Sequence, residues 1–237
     1  MNAASELPHD EGHHLSRVLR LKPGDAVAIF DGRGREALAR VERVDSRRVI
    51  VRVTEPREPV REAVIALTLA QGLLKSDKMD RVIRDAVMLG VARIQPFVSR
   101  RTDVPRAALR TGVRQERWDR TVLASVKQCG RAVVPPVLDT LDVTEVLRRA
   151  TAGVERVMFV EPSSAGPDVV VDLKSLEARQ PSEAMILIGP EGGWDAQEIA
   201  DATAAGVTLV TFGSRTLRAD AAGAVAIAVL QYVWKDT

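Results

Sequence analysis

From about residue 63 onward, short apolar segments alternate with segments whose apolar residues recur at helical spacing. The strand-like segments are 64–70, 94–98, 156–160, 185–188 and 207–212, and the helix-like segments are 77–89, 114–129, 143–150, 195–205 and 221–234. Strands that alternate with helices in this way predict an α/β domain built on a mostly parallel sheet.

The first part of the chain has a different rhythm, because polar and apolar residues alternate along it. Its strand-like segments are 26–30, 37–44 and 48–53. Residues 31–34, Asp-Gly-Arg-Gly, predict a tight turn, and the alternation predicts a small antiparallel sheet or barrel. Pro56 and Pro59 interrupt the pattern and predict a linker. We therefore expect one domain at 1–62 and a second at 63–237.

Charge is unevenly distributed, although the formal net charge of the 237 residues is only +2. Residues 63–135 hold 14 basic and 6 acidic side chains, a net charge of +8. Residues 136–237 hold 8 basic and 15 acidic side chains, a net charge of −7. The basic, arginine-rich segment fits a nucleic-acid surface, since arginine binds phosphate in a bidentate manner. A solvated helix face explains the same charge equally well.

Several functional classes do not fit the sequence. One cysteine, Cys129, excludes an intramolecular disulfide and a cysteine-based zinc site. The adjacent His13 and His14 point apart and make poor co-ligands, so no metal site is expected. The first residues lack the apolar stretch of a signal peptide, and the longest apolar run, 221–230, is shorter than the ~18 residues of a membrane span. These features predict a cytoplasmic protein.

Residues 32–37 match G-x-G-x-x-A, the dinucleotide-binding pattern. The pattern requires a helix immediately afterwards, but the following residues, ALARVERV, alternate as a strand does. The next strand also begins too early for a βαβ unit of about 30 residues. We therefore interpret these glycines as a hairpin turn.

Two glycine-bearing loops follow two apolar strands near the end of the chain. The first loop is Gly-Pro-Glu-Gly-Gly at 189–193, and it leads into a helix that begins with a capping box of Asp195 and Glu198. The second loop is residues 213–220. Ligands bind at the carboxyl ends of strands in such sheets, so the loops predict one shared pocket, although two ordinary turns remain an alternative. The first loop lacks G-K-[ST], which argues against a nucleoside triphosphate.

The order of short motifs along nearly the whole chain resembles the SPOUT methyltransferases, and most closely the ribosomal RNA small subunit methyltransferase E family. The motifs are H-H-L at 13–15, V-L-R at 18–20, G-D at 24–25, F-D-G at 30–32, Q-G at 71–72, K-S-D-K-M at 75–79, L-G-V at 89–91, S-R-R at 99–101, R-W at 117–118, Q-C-G-R at 128–131, V-P at 134–135 and the two glycine-bearing loops. One such loop alone would not be specific, whereas this ordered set is.

The resemblance implies a PUA-like, RNA-binding β-barrel at 1–62 and a trefoil-knotted α/β SPOUT domain at 63–237. It implies a homodimer that uses S-adenosyl-L-methionine without metal, is not bound to a membrane, and methylates N3 of a uracil, usually uracil 1498, in 16S rRNA of the assembled 30S subunit. Two alternatives stay open. One is another SPOUT enzyme that methylates tRNA or a ribose 2′-hydroxyl, and the other is a catalytically silent RNA-binding assembly factor.

The resemblance also implies site residues. The cofactor would be bound by Val160, Glu161, Pro162, Leu187, Ile188, Gly189, Pro190, Glu191, Gly192, Gly193, Phe212, Gly213, Ser214, Thr216, Leu217 and Arg218. Its adenine would lie against Leu187, Ile188 and Leu217. Arg218 would stabilise the uracil anion, and Asp220 or Glu191 would accept the proton or orient Arg218. The RNA-binding face would include Arg17, Arg20, Arg33, Lys75, Lys78, Arg101, Lys127 and Arg131.

Three departures from the family pattern affect these expectations. A strand that usually precedes His-His-Leu is expected to be incomplete here. Met88 stands where the family usually has Glu before Leu-Gly-Val. The usual R-T-E-T-A is replaced by R-A-D-A-A at 218–222, so Asp220 is one methylene shorter than the usual Glu. The last change bears on the role of general base more than on cofactor binding.

Overall fold

The computed structural model describes residues 4–8, 11–12, 20–45, 48–104, 112–149, 153–164, 166 and 169–236. Contacts divide the chain into two compact units. The first unit combines Met1–Arg61 with Gly130–Val134, and the second combines Glu62–Cys129 with Pro135–Thr237. The later segment joins the first unit through backbone hydrogen bonds, in which the Gly34 N–H donates to the Ala132 carbonyl at 3.1 Å.

The first unit contains a four-stranded antiparallel sheet. Its strands are β1 (Ala4–Glu6), β2 (Ala26–Phe30), β3 (Glu36–Val44) and β4 (Val49–Arg57), in the spatial order β1-β4-β3-β2. The three strands predicted from the alternating pattern are confirmed. Ala39, Val41, Val49 and Val51 form the small core on one face.

The prediction that Pro56 belongs to a linker is wrong. Strand β4 continues through Pro56, which pairs with Ala37 of β3. Strand β1 pairs only with Ile50–Arg52 of β4, so the later part of β4 lies beyond that ladder. Proline is accepted in a strand where one edge is unpaired, because no ladder hydrogen bond is lost there.

The second unit is an α/β domain with a six-stranded parallel sheet in the order β10-β8-β9-β5-β6-β7. The strands are β5 (Ala66–Gly72), β6 (Arg93–Val98), β7 (Leu141–Asp142), β8 (Glu155–Phe159), β9 (Glu183–Ile188) and β10 (Thr208–Val210). The helices are α1 (Lys78–Met88), α2 (Gly112–Cys129), α3 (Val143–Arg148), α4 (Ala196–Ala204) and α5 (Ala219–Val233), with a 3₁₀ turn at Leu173–Leu176. The predicted mostly parallel sheet is confirmed.

The glycine-rich loop is held between β9 and α4. Helix α4 begins with the predicted capping box, in which Asp195 accepts the Gln197 N–H at 3.0 Å and Glu198 accepts the Asp195 N–H at 2.9 Å. Glu198 is buried and also accepts the Arg100 N–H at 2.8 Å. The capping box and the bond from the Arg100 N–H together fix the start of the helix, and therefore the end of the loop.

Two further expectations concern the topology. The trefoil knot stays a prediction, because hydrogen-bonded strand order does not define how a loop is threaded. Within the described part of the chain, no helix combines the length and the apolar character that a bilayer crossing requires.

Candidate active site

A cavity of about 450 Å³ opens at the carboxyl ends of β8 and β9, beside the segment that follows β10. Its lining residues are Lys78, Phe159, Val160, Glu161, Pro162, Ile188, Gly189, Pro190, Glu191, Trp194, Phe212, Arg215, Thr216, Leu217, Arg218, Ala219, Asp220 and Ala222. The structure thus brings together the two predicted loops and the predicted third wall at 160–162. This is the edge of the sheet at which ligands bind in α/β folds.

Stacked aromatic rings form the apolar side of the cavity. The rings of Phe159 and Phe212 stack with their centroids 4.3 Å apart. Behind them, Trp194 stacks on Phe97 at 5.6 Å, and its Nε1–H donates to the Phe159 carbonyl at 2.8 Å. This hydrogen bond fixes the end of β8 against the glycine-rich loop. A flat, partly apolar ligand group fits such a wall.

The loop glycines allow backbone segments to approach one another closely. A Cβ on Gly72, at the end of β5, would lie 2.7 Å from the Pro190 nitrogen. Gly193 has a φ of +69°, and a Cβ there would lie 2.4 Å from Oε1 of Glu161. Side chains at these positions would push the loop out of place, since real Cβ atoms do not approach other atoms this closely.

Five predicted cofactor residues do not line this cavity. The side chain of Leu187 is fully buried in the core, because successive side chains of β9 point to opposite faces, and the contact of Leu187 with adenine stays a prediction. Gly192 packs on Arg101, where a Cβ would lie 2.7 Å from the carbonyl oxygen. Gly193 packs on Glu161. Gly213 lines a second cavity, and Ser214 is exposed.

Arg218 and Asp220 form a bidentate ion pair within the cavity lining. Nε of Arg218 donates to Oδ1 of Asp220 at 3.0 Å, and Nη2 donates to Oδ2 at 3.1 Å. The Arg218 side chain is 74% exposed, whereas that of Asp220 is 12% exposed. The hydrogen bond with Arg218 lowers the pKa of Asp220, and the same bond raises the pKa of Arg218. The guanidinium is therefore a fixed cation at the cavity.

Glu191 forms a second ion pair, with Lys78. Nζ of Lys78 lies 2.8 Å from Oε1 of Glu191, which also accepts the Lys75 N–H at 3.3 Å. Burial of Glu191 works against its charged form. The hydrogen bond from Lys78 and the backbone N–H donors outweigh burial, so the pKa of Glu191 is lowered. The carboxylate is consequently charged at neutral pH.

Several lining residues lie outside the segments that the sequence predicts for the pocket, among them Lys78, Phe159 and Trp194. Lys78 was assigned to the RNA-binding face. The available sequence signal was its place at the start of a helix, where a lysine opposes the helix dipole. Trp194 directly follows the glycine-rich loop, which was the signal for a residue packed beneath that loop.

The predicted RNA-binding residues differ in how exposed their side chains are. Arg17 lies outside the described residues, as do His13 and His14. The residues Arg20, Arg33, Lys75, Arg101 and Lys127 are exposed. Arg131 is only 6% exposed, which contradicts its assignment to a surface. It belongs to the segment Gly130–Val134, which is part of the first unit.

The residues described by the structure contain no cluster of three or more side chains suited to a metal ion. Four ionisable groups of the cavity form two cation–carboxylate pairs, Lys78–Glu191 and Arg218–Asp220. These pairs suit binding and charge stabilisation.

Comparisons with known proteins agree with this architecture. A family model for an RNA methyltransferase domain matches residues 61–231, and one for an RNA methyltransferase PUA domain matches residues 7–54. The fold and these matches define an RNA methyltransferase that carries a PUA domain. The chain belongs to the ribosomal RNA small subunit methyltransferase E family.

Individual relatives are similar along most of their length. The ribosomal RNA small subunit methyltransferase E of Mycobacterium bovis is 30% identical over 95% of this chain and 85% of its own length. The Synechocystis protein of that name is 30% identical over 91% of this chain and 69% of its own. The crystal structure of the Neisseria gonorrhoeae protein bound to S-adenosyl methionine has a TM-score of 0.86 and 32% identity, covering 98% of this chain and 93% of that chain.

Proposed function

We propose that this protein transfers the methyl group of S-adenosylmethionine to N3 of a uracil in 16S rRNA of the assembled 30S subunit. Methylation of ribosomal RNA is the activity named for its relatives, and the base and atom are our proposal. One observation supports it most directly. The Arg218–Asp220 pair lies at a cavity that three strand-end loops enclose.

The cavity residues fit S-adenosylmethionine. Ile188 and Leu217 offer apolar contact for the adenine, and the Phe159–Phe212 stack forms the wall beside them. Gly189, Pro190 and Glu191 of the close-packed loop line the cavity, where backbone groups can approach a ligand closely. Glu191 is a charged acceptor for the cationic ligand. When bound, the cofactor supplies an electrophilic methyl group.

Uracil N3 carries a proton and is a poor nucleophile until that proton leaves. The negative charge then spreads over the two neighbouring carbonyl oxygens. Arg218 is a fixed cation in the cavity, so it stabilises that charge without reorganisation during the reaction. Enclosure of the reacting groups contributes through proximity.

The two carboxylates of the cavity have different tasks in this proposal. Asp220 engages Arg218 through both of its oxygens, so both are already used as hydrogen-bond acceptors. We therefore assign Asp220 to orient the guanidinium. Glu191 uses Oε1 for Lys78 and for the Lys75 N–H. We assign Glu191 to accept the N3 proton and release it to water.

The homodimer and the cytoplasmic location belong to the same proposal. Sedimentation of the purified protein tests the dimer, for which a mass of twice 25.8 kDa is expected. A stable monomer would contradict it.

The first test combines the purified protein, labelled S-adenosylmethionine and undermodified 30S subunits, followed by nucleoside analysis of the rRNA. We expect 3-methyluridine on 30S subunits and not on tRNA. A 2′-O-methylated nucleoside or a labelled tRNA would establish a different methyltransferase. If no methyl group is transferred, calorimetric titration with S-adenosylmethionine distinguishes an untested RNA substrate, where it binds, from a silent RNA-binding protein, where it does not.

The second test replaces the proposed cation. Arg218→Ala is expected to abolish turnover, since removal of one stabilising donor costs about 10²–10³ in rate. Cofactor affinity, measured by calorimetry, should stay within about threefold, because Arg218 is assigned to the uracil anion. A threefold change is less than about 1.4 kcal/mol, which corresponds to a tenfold change in affinity. Arg84→Ala is the matched control, since Arg84 is an exposed residue of α1 and does not line the cavity. Near-normal turnover of Arg218→Ala would rule out the assigned role.

A further inference from the structure

Lys78 occupies an unfavourable position in α1. It is the first residue of the helix, where a cation opposes the helix dipole. Two residues earlier, Ser76 has a φ of +58°, a left-handed conformation that is uncommon for residues other than glycine. Strained backbone is often kept where it positions a functional group. Here the strained turn leads directly to a side chain that lines the cavity.

The ammonium group of Lys78 is held in place by Glu191. The two side chains are 29% and 31% exposed, and the Nζ–Oε1 distance is 2.8 Å. A lysine ammonium has three N–H donors. One of them is directed to Glu191, so within the described part of the chain two donors remain for an acceptor in the cavity.

The two ion pairs of the cavity act on each other. Lys78 contributes to the lowered pKa of Asp220, after the larger effect of Arg218. Glu191 contributes to the raised pKa of Arg218, after the larger effect of Asp220. All four groups line the same cavity and form two ion pairs, so we treat them as one cluster, the Lys78–Arg218 cluster: the cations Lys78 and Arg218 and the carboxylates Glu191 and Asp220.

The reactive edge of uracil presents a carbonyl oxygen, the N3–H group and a second carbonyl oxygen. Its complement is a donor, an acceptor and a second donor. We propose that Lys78 supplies the second donor, contacting the carbonyl oxygen that Arg218 does not contact, while Glu191 faces N3–H. This inference rests on the proposed function and adds a specificity-determining residue to it. Cytosine would place an amino group against a cation and is rejected.

The charges balance through the reaction. The N3 proton passes to the Glu191 carboxylate and then to water, and the N3 electron pair forms the bond to the methyl carbon. The carbon–sulfur bond breaks, and its electrons remain on sulfur. Lys78 and Arg218 keep their protons throughout, so they act only by stabilising the charge on the two carbonyl oxygens.

Arg215 is the other cation that lines the cavity, and it is the competing candidate for this role. It lies exposed on the loop before α5, and no carboxylate of the described residues forms an ion pair with it. A donor that is already fixed stabilises a developing charge better than a mobile one. The ion pair with Glu191 therefore favours Lys78.

The first experiment measures kcat, KM and cofactor affinity for Lys78→Met and Lys78→Arg on undermodified 30S subunits. For Lys78→Met we expect kcat to fall at least about tenfold, as when one charge-assisted hydrogen bond is lost, with the cofactor Kd within about twofold. Lys78→Arg should recover part of kcat. Lys174→Met is the matched control, because Lys174 is exposed on the 3₁₀ turn and does not line the cavity. An unchanged kcat, or a loss confined to the cofactor Kd, would overturn the inference.

The decisive experiment is a chemical double-mutant cycle. The 30S subunits are reconstituted with 2-thiouracil or 4-thiouracil at the target position, because sulfur accepts hydrogen bonds poorly. We expect one analogue to reduce the rate of the wild-type protein more than it reduces the rate of Lys78→Met. The ratio of the two reductions should be at least about fivefold, which lies within the range that double-mutant cycles measure for interacting groups. Additive effects for both analogues would overturn the inference, as would the same coupling found with Arg215→Gln instead.

The outcomes separate this inference from the proposed function. If the wild-type protein methylates no uracil N3, the proposed function fails before any variant is compared. If the wild-type protein methylates N3 and the thiouracil effects are additive with Lys78→Met, only the role of Lys78 fails. The cycle also tolerates partial misfolding, since it compares two substrates on the same preparation of each variant.

Discussion

The two sheets of this protein are buried in different ways. In the antiparallel sheet, β3 buries only Ala39 and Val41 and leaves residues between and beside them accessible. In the parallel sheet, every residue of β5 after the first is buried. A strand covered on both faces has no place for an exposed polar side chain along its length. Polar chemistry in the second unit is therefore concentrated where the strands end, and the cavity lies there.

Charged side chains form ion pairs in both units, and the two units can be compared in this respect as well. In the first unit, Arg52 and Glu42 form an ion pair whose side chains are 40% and 38% exposed. Such surface pairs contribute about 0–1 kcal/mol each. In the second unit, the Arg218–Asp220 pair joins an exposed cation to a largely buried carboxylate. Other pairs of the second unit, such as Lys235–Glu177, are exposed in the same way. The comparison teaches that both units carry surface ion pairs, whereas the second unit also places two pairs, Lys78–Glu191 and Arg218–Asp220, in the lining of one cavity.

The largest effect is expected from Trp194, which joins the core of the parallel sheet to the cavity. Trp194→Ala should lower the free energy of unfolding by about 3–5 kcal/mol, because it removes a large buried ring. It should also weaken cofactor binding. Trp194→Phe keeps the ring but leaves the Phe159 carbonyl without its donor, so a loss of about 1–3 kcal/mol is expected. Denaturant unfolding measures the free energy of unfolding, and calorimetry measures cofactor affinity. If Trp194→Ala changed neither quantity, the contrast between the two sheets would be contradicted.

A smaller effect is expected in the antiparallel sheet. Val51→Ala should destabilise the first unit by about 2 kcal/mol, since it removes two buried methyl groups from a small core. Cofactor affinity should be unchanged, because all lining residues of the cavity belong to the second unit. Hydrogen exchange of β3 and β4 amides measures the first effect. Arg52→Ala is the surface control, and reduced cofactor affinity in Val51→Ala would contradict the expected independence.

The smallest effect concerns the turn between β2 and β3. The Arg35 side chain, together with the N–H groups of Arg33 and Arg35, lowers the pKa of Asp31 from 3.8 to about 2. Its stabilising contribution is therefore present above pH 3.8 and is lost as the pH falls toward about 2. Asp31→Asn should reduce stability at pH 7 and show no difference from wild type below the folded-state pKa. An NMR titration of the Asp31 carboxyl with an ordinary midpoint would refute this prediction.

Local patterns were sufficient to predict most of the fold. Consecutive apolar residues predicted the buried parallel strands, and alternation predicted β2, β3 and β4. Pro56 was misread because a strand pattern does not show which edges of that strand are paired. The segment Gly130–Val134 was missed as part of the first unit, since its partners are distant in sequence. Such long-range pairings leave no local periodicity.

The candidate site was predictable to the level of its loops. Glycines after buried strands marked the two walls, and the resemblance supplied the third. The burial of the Leu187 side chain follows from the alternation of side chains along β9, which membership of the loop does not show. The place of Lys78 in the cavity lining was not predictable, because a lysine near other basic residues favours a surface interpretation. Its contact with Glu191 joins residues far apart in the chain, which only the tertiary structure reveals.

Strand β9 lies between β5 and β8, yet it is made after both of them. During synthesis on a ribosome, the sheet is therefore left with a gap at its centre until residues 183–188 emerge. Until then β5 and β8 each present an open strand edge, which is a template for pairing with another chain. Closing the gap also requires contacts that are distant in sequence, and these form slowly. The edge of β5 is thus open while residues 73–182 are made, and the edge of β8 while residues 160–182 are made, and shielding by a chaperone in that interval would act on those two edges.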